Sequence, residues 1–105
     1  HVGVLRLVLD IPGSRSLKDR RRAIRSLRDR VRHRWPVTWN EIDDTDLHDS
    51  RAVVCTSASA DPRALRSTFD AIRHFVETSG QAWPRSVDVD VFVWQPPERA
   101  WSEHE

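Results

Sequence analysis

The sequence predicts an α+β domain of the ferredoxin-like kind: a four-stranded antiparallel sheet with two helices on one face. Three observations lead there. Two long stretches carry apolar residues at helical spacing and four shorter ones carry them at strand spacing. The six segments follow the order β-α-β-β-α-β. Each candidate strand has one apolar face and each candidate helix one apolar stripe, so one layer of helix on one sheet buries the apolar surface. A chain of 105 residues has room for that and little more.

Val2 to Ile11 reads as the first strand, with Leu5, Leu7 and Leu9 on one face and Val4, Arg6, Val8 and Asp10 on the other. Pro12-Gly13 is a turn signal. Ser16 is the expected cap of the first helix, and Asp19 three residues later is a variant of the capping box. The helix is expected to run to about Arg34, because Pro36 biases the chain before it away from helix. Its core stripe is Leu17, Ala23, Ile24, Leu27 and Val31. A second strand is expected over Val37 to Asp43, and Asp44-Thr45-Asp46 begins a polar loop. Arg51 to Ser59 reads as the third strand, and either Val53 with Cys55 or Val54 with Ala58 could face the core. Asp61-Pro62 opens the second helix with proline at the first helical position. Leu65, Phe69, Ile72 and Val76 form its stripe, and Gly80 is a natural stop. Arg85 to Trp94 is the clearest strand, with Val87, Val89, Val91 and Val93 on one face and Asp88, Asp90, Phe92 and Trp94 on the other. The domain is expected to occupy residues 1–95, with an acidic, loose tail over 96–105.

Charge is the functional signal. From Arg15 to Arg34 the chain carries a net +8, whereas the whole chain is +1. On a helical wheel Lys18, Arg21, Arg22, Arg25, Arg28 and Arg32 fall on one flank beside the apolar stripe. The i, i+4 neighbours Lys18–Arg22, Arg21–Arg25 and Arg28–Arg32 are like-charged, the reverse of the arrangement that stabilises a solvated helix. Cations in the first turns also oppose the helix dipole. A local rule broken repeatedly in one place points to function, here to an anionic partner. Arg20 falls instead within the apolar arc, where its stem is expected to lie along the core edge.

Other classes of function find less support. No apolar run approaches the ~20 residues that span a bilayer. The opening HVGVLRLVLD lacks the pattern of a signal peptide, so the cytoplasm is expected. With no methionine in the sequence, a residue or tag before His1 is expected to be missing. One cysteine, Cys55, forms no internal disulfide and reads as a small buried thiol. No phosphate-binding glycine loop or hydrolase signature occurs, and no cofactor is implied. The open sheet face lacks aromatic residues on its central strands, so base stacking of the RNA-recognition-motif type is not expected there. Two alternatives remain. Phe92 and Trp94, with Trp39 or Trp101, could form a homodimer patch on the sheet face, or the basic helix could bind an acidic protein. Glu41, Asp46 and His48 could bind a metal or do acid–base work, although their spacing matches no strong motif.

The run VGVLRL, then IPGSRSLKDRRR and SLRDR, then a strand with NEID and an acidic loop resembles the YlxP-like family. These are small bacterial proteins carried under a domain-of-unknown-function label. The resemblance spans Val2 to about Val93, and its most specific part is Gly3–Arg22, above all the IPGSRSLKDRRR string. It implies the same ferredoxin-like fold. It also implies a link to RNA or the ribosome, because genes of the family often lie among those for translation initiation and ribosome maturation. Gly13, Ser14, Ser16, Leu17, Lys18, Asp19, Arg21 and Arg22 match the family string, while Arg20 stands where lysine is common. Glu41 and Asp46 match its acidic positions; His48 replaces a usual tryptophan and Asp49 a usual glutamine. The family offers no catalytic residues to carry over. The expectation is therefore a non-enzymatic module that binds phosphate backbone through Lys18, Arg21, Arg22, Arg25, Arg28 and Arg32.

Overall fold

Strands and helices follow one another as β1 (Val2–Asp10), α1 (Leu17–Arg34), β2 (Asn40–Ile42), β3 (Ser50–Ala58), α2 (Pro62–Thr78) and β4 (Trp83–Phe92). The computed structural model describes residues 1–13, 16–42 and 50–98. The strands form one sheet in the order β2-β3-β1-β4, and every neighbouring pair is antiparallel. This is the expected ferredoxin-like plan, with the sequence-distant β1 and β3 side by side at the centre.

Register settles the ambiguous face of the third strand. Leu5 stands opposite Cys55 and Leu7 opposite Val53, and directly opposed residues share a face. Val53 and Cys55 therefore join the leucines of β1 against the helices. Ile24, Leu27 and Val31 of α1 and Leu65, Phe69, Ile72 and Val76 of α2 complete one continuous core. β1 approaches α2 closely at Gly3, where an added Cβ would stand 2.6 Å from the Phe69 ring. Glycine is required there by space.

The ends of the helices follow from local chemistry. The Asp19 N–H donates to Ser16 Oγ at 3.1 Å, and the Arg63 N–H donates to Asp61 Oδ1 at 2.9 Å. Each cap satisfies a donor that the first helical turn leaves open. α2 stops at Ser79, followed by Gly80 with φ of +75°, the left-handed position that glycine adopts without strain.

Three expectations need correction. Leu17 belongs to the apolar arc but is 41% exposed. It is the first helical residue and lies ahead of the packed turns, which begin at Ala23 and Ile24. β2 is shorter than predicted: Trp35 and Val37 pack against the core before the strand begins, and Asp43 lies outside the described residues. β4 starts two residues early and ends two residues early. Its pairing shifts between Val8 and Leu9, which face Ser86 and Pro84, so Arg85 is an extra residue in a bulge. Pro84 is tolerated because β4 lies at the sheet edge. The tail expectation rests partly on residues 99–105, which lie outside the described residues.

Candidate nucleic-acid interface on the first helix

The arginines of α1 divide into two groups that sequence alone places on a single helix. Arg30 and Arg34 point toward α2. The Arg30 guanidinium lies 4.9 Å from the centre of the Phe75 ring, and that of Arg34 lies 4.7 Å from Trp35 and 5.2 Å from Phe75. Trp35 and Phe75 themselves meet edge to face at 5.6 Å. These two cations fasten α1 to α2 through aromatic faces.

The opposite flank carries the six residues predicted to meet an anion. Lys18, Arg21, Arg22, Arg25 and Arg32 are exposed, and among the described residues none has a hydrogen-bonded or ionic partner. Arg28 differs: it is partly buried, and its Nε–H donates to the neighbouring Asp29 at 2.9 Å. Arg20 is also partly buried and already engaged in an interaction. At 1.5 Å per residue, Lys18 and Arg32 stand about 21 Å apart along the helix, so the five cations that lack a partner among the described residues form a strip. Arg22 opens into a shallow cleft of about 420 Å³ with Pro12, Gly13, Ser26 and Gln81. Arg32 opens into another, of about 570 Å³, with Trp35, Thr38 and Thr56. The last turn holds Arg32, His33 and Arg34, where cations favour the helix dipole. Lys18 and Arg21 near the start gain no such support.

The sheet face away from the helices is organised differently. Asp10 is gripped by Arg85, which donates from Nε at 3.1 Å and pairs through Nη2 at 2.8 Å, and by the Ser50 hydroxyl at 2.5 Å. The Ser50 hydrogen bond is the main cause holding the Asp10 carboxyl below its ordinary value, with Arg85 acting in the same direction against partial desolvation. The bulge brings Arg85 to this position, a feature that required long-range pairing and left no local signal. Val8, expected on the open face, is only 5% exposed, and its neighbour Ala52 is fully buried. Phe92 and Trp94 are exposed, whereas Trp39 is buried in the core and cannot join a patch with them.

The remaining candidates do not assemble among the described residues. Glu41 is exposed on β2, while Asp46 and His48 lie outside the described residues, as do Asp43, Asp44, Asp49 and Trp101. Among the described residues no three acidic, histidine or cysteine side chains are grouped to hold a metal ion. Burial pushes the Cys55 thiol up to about 12, which keeps it protonated and unreactive. Among the described residues, no helix is long and apolar enough to cross a membrane.

No curated protein matches the chain. The ferredoxin-like fold is the one that the resemblance drawn from the sequence implies. Residues 2–88 match the family model described as protein of unknown function (DUF503), and the chain belongs to that family.

Proposed function

We propose that this protein is a non-enzymatic module that binds the phosphate backbone of RNA, in or outside the ribosome, through the outer flank of α1. The observation that carries the reading is the strip Lys18, Arg21, Arg22, Arg25 and Arg32, five exposed cations with no partner among the described residues. Cations held side by side without counter-charges destabilise their own helix slightly and bind polyanions strongly, because each phosphate neutralised releases condensed counterions. Arg28 belongs to the flank and contributes less than its neighbours, since Asp29 already shares its charge.

The Arg30 and Arg34 side chains, stacked on Phe75 and Trp35, keep the rest of the helix in place while the strip engages a ligand. Recognition of this kind reads backbone and shape and carries little base specificity.

The test is fluorescence anisotropy with a labelled single-stranded RNA across a range of salt. If about four phosphates are neutralised, log K falls with log salt at a slope near −3. A flat salt dependence, or unchanged affinity after Arg21, Arg25 and Arg32 are replaced by glutamate, overturns the reading.

A further inference from the structure

A second surface lies at the sheet edge formed by β4. This strand pairs with β1 on one side only, so its other edge carries backbone N–H and C=O groups with no strand beside them among the described residues. Proteins commonly blunt such an edge with proline, lysine or a bulge. β4 has Pro84 and the bulge at Arg85 near its start, and from Ser86 to Phe92 only the charges of Asp88 and Asp90, which deter an acidic or neutral strand and leave the edge open to a basic one. On the helix side of that stretch Val87 and Val89 remain 36% and 42% exposed, although they stand opposite the fully buried Leu7 and Leu5. α2 covers them in part, leaving a groove of about 180 Å³ between the valines and Arg66, Phe69, Asp70 and Arg73. Arg73 on the rim is already neutralised by Asp70 at 2.7 Å and Glu77 at 2.6 Å. On the opposite face the same stretch presents Asp88 and Asp90. Arg6 approaches Asp88 only to 3.8 Å, and Asp90 has no partner among the described residues.

We propose that the Ser86–Phe92 edge captures an extended peptide segment in which basic residues alternate with apolar ones. Added beside β4, the segment places its apolar side chains against Val87 and Val89 and its basic side chains against Asp88 and Asp90, while main-chain hydrogen bonds complete the edge. Charge selects this occupant over a second copy of the chain. A two-fold pairing of β4 strands centred on any of residues 88 to 90 sets Asp88 or Asp90 against a carboxylate of the other copy, which is unfavourable. The surface is separate from the α1 strip, and its test is independent of the phosphate reading.

The probe is a short synthetic peptide of alternating lysine and valine, titrated into isotope-labelled protein. Every second backbone amide from Ser86 to Phe92, those that point away from β1, is expected to gain protection from exchange. A control peptide with glutamate in place of lysine is expected to bind about tenfold more weakly. The double variant Asp88→Lys, Asp90→Lys is expected to reverse that preference; both sites are exposed, so the fold is retained. Peptide N-methylated on alternate residues is expected to lose binding to parent and variant alike. Equal binding of the two peptides, an unreversed preference, unprotected β4 amides, or self-association of the chain through β4 in sedimentation each overturn the proposal.

Discussion

α1 and α2 are nearly equal in length, at 18 and 17 residues, and both start from a side-chain cap and bury a stripe against the same face of the sheet. Their exposed surfaces follow opposite rules. On α2, Arg73 reaches back to Asp70 and forward to Glu77, so charge is balanced within two turns. On α1, Lys18–Arg22 and Arg21–Arg25 are like-charged neighbours, and no partner is present for them among the described residues. The helix is instead held by Ile24, Leu27 and Val31 below and by Arg30 and Arg34 against the aromatic rings at its side. The contrast separates residues that hold a helix from residues that a partner would use. The central arginine of α2 is paired with two acids of its own helix, whereas the strip on α1 has no partner among the described residues.

The largest effect expected from breaking this contrast is in the shared core. Phe69→Ala should cost about 3–5 kcal/mol in chemical denaturation, because the ring is buried against Gly3 and its loss leaves a cavity. Leu17→Ala, in the stripe of α1 by sequence but exposed in the fold, should change stability by less than about 0.5 kcal/mol. A large loss at Leu17 would place the start of α1 in the core after all.

Next in size is the strip itself. Replacing Arg21, Arg25 and Arg32 by glutamate should weaken RNA binding by about a hundredfold at moderate salt. Thermal melting should show no loss of stability, since no internal partner is removed among the described residues. A matching fall in melting temperature would mean that these cations hold the fold.

The caps come third, at about 1 kcal/mol each. Asp61→Ala should cost more than Ser16→Ala, because Asp61 brings a charge to the N-terminus of a helix with no other acid in its first turn, while α1 keeps Asp19. Equal losses would show that the dipole contributes little at α2.

The smallest effect concerns Asp10. Its carboxyl is held below the ordinary value, so the folded state binds fewer protons than the unfolded one at acid pH. The associated stability is present above the unfolded carboxylate value of about 4 and is lost as pH falls through the lowered folded value. Ser50→Ala removes the main cause of the shift. The urea-midpoint difference between parent and variant should therefore be visible at neutral pH and shrink on acidification. A difference that grows at low pH would contradict this linkage.

Much of the fold was legible because its signals are local. Ser16 and Asp61 mark their helices by cap chemistry, and the stripe Leu65, Phe69, Ile72 and Val76 follows the helical repeat along one segment. The alternation of valine and aspartate in β4 assigns its two faces. The candidate strip was legible in the same way, since a helical wheel groups Lys18 through Arg32 without any tertiary contact. Hidden were the features that join distant segments: the bulge that brings Arg85 to Asp10 and Ser50, the aromatic seats of Arg30 and Arg34 on α2, and the half-covered valines of β4.

The order of elements, their apolar faces and the clustering of positive charge follow from local spacing, since each depends only on residues within one helix or strand. Which face of β3 is inside, which arginines of α1 lack a partner among the described residues and how far β4 is covered are settled by packing between distant segments. Those outcomes depend on register and on which helix lies over which strand. Leu7 opposite Val53 turns β3 inward, Phe75 draws in Arg30 and Arg34, and the partial cover of α2 leaves Val87 and Val89 exposed.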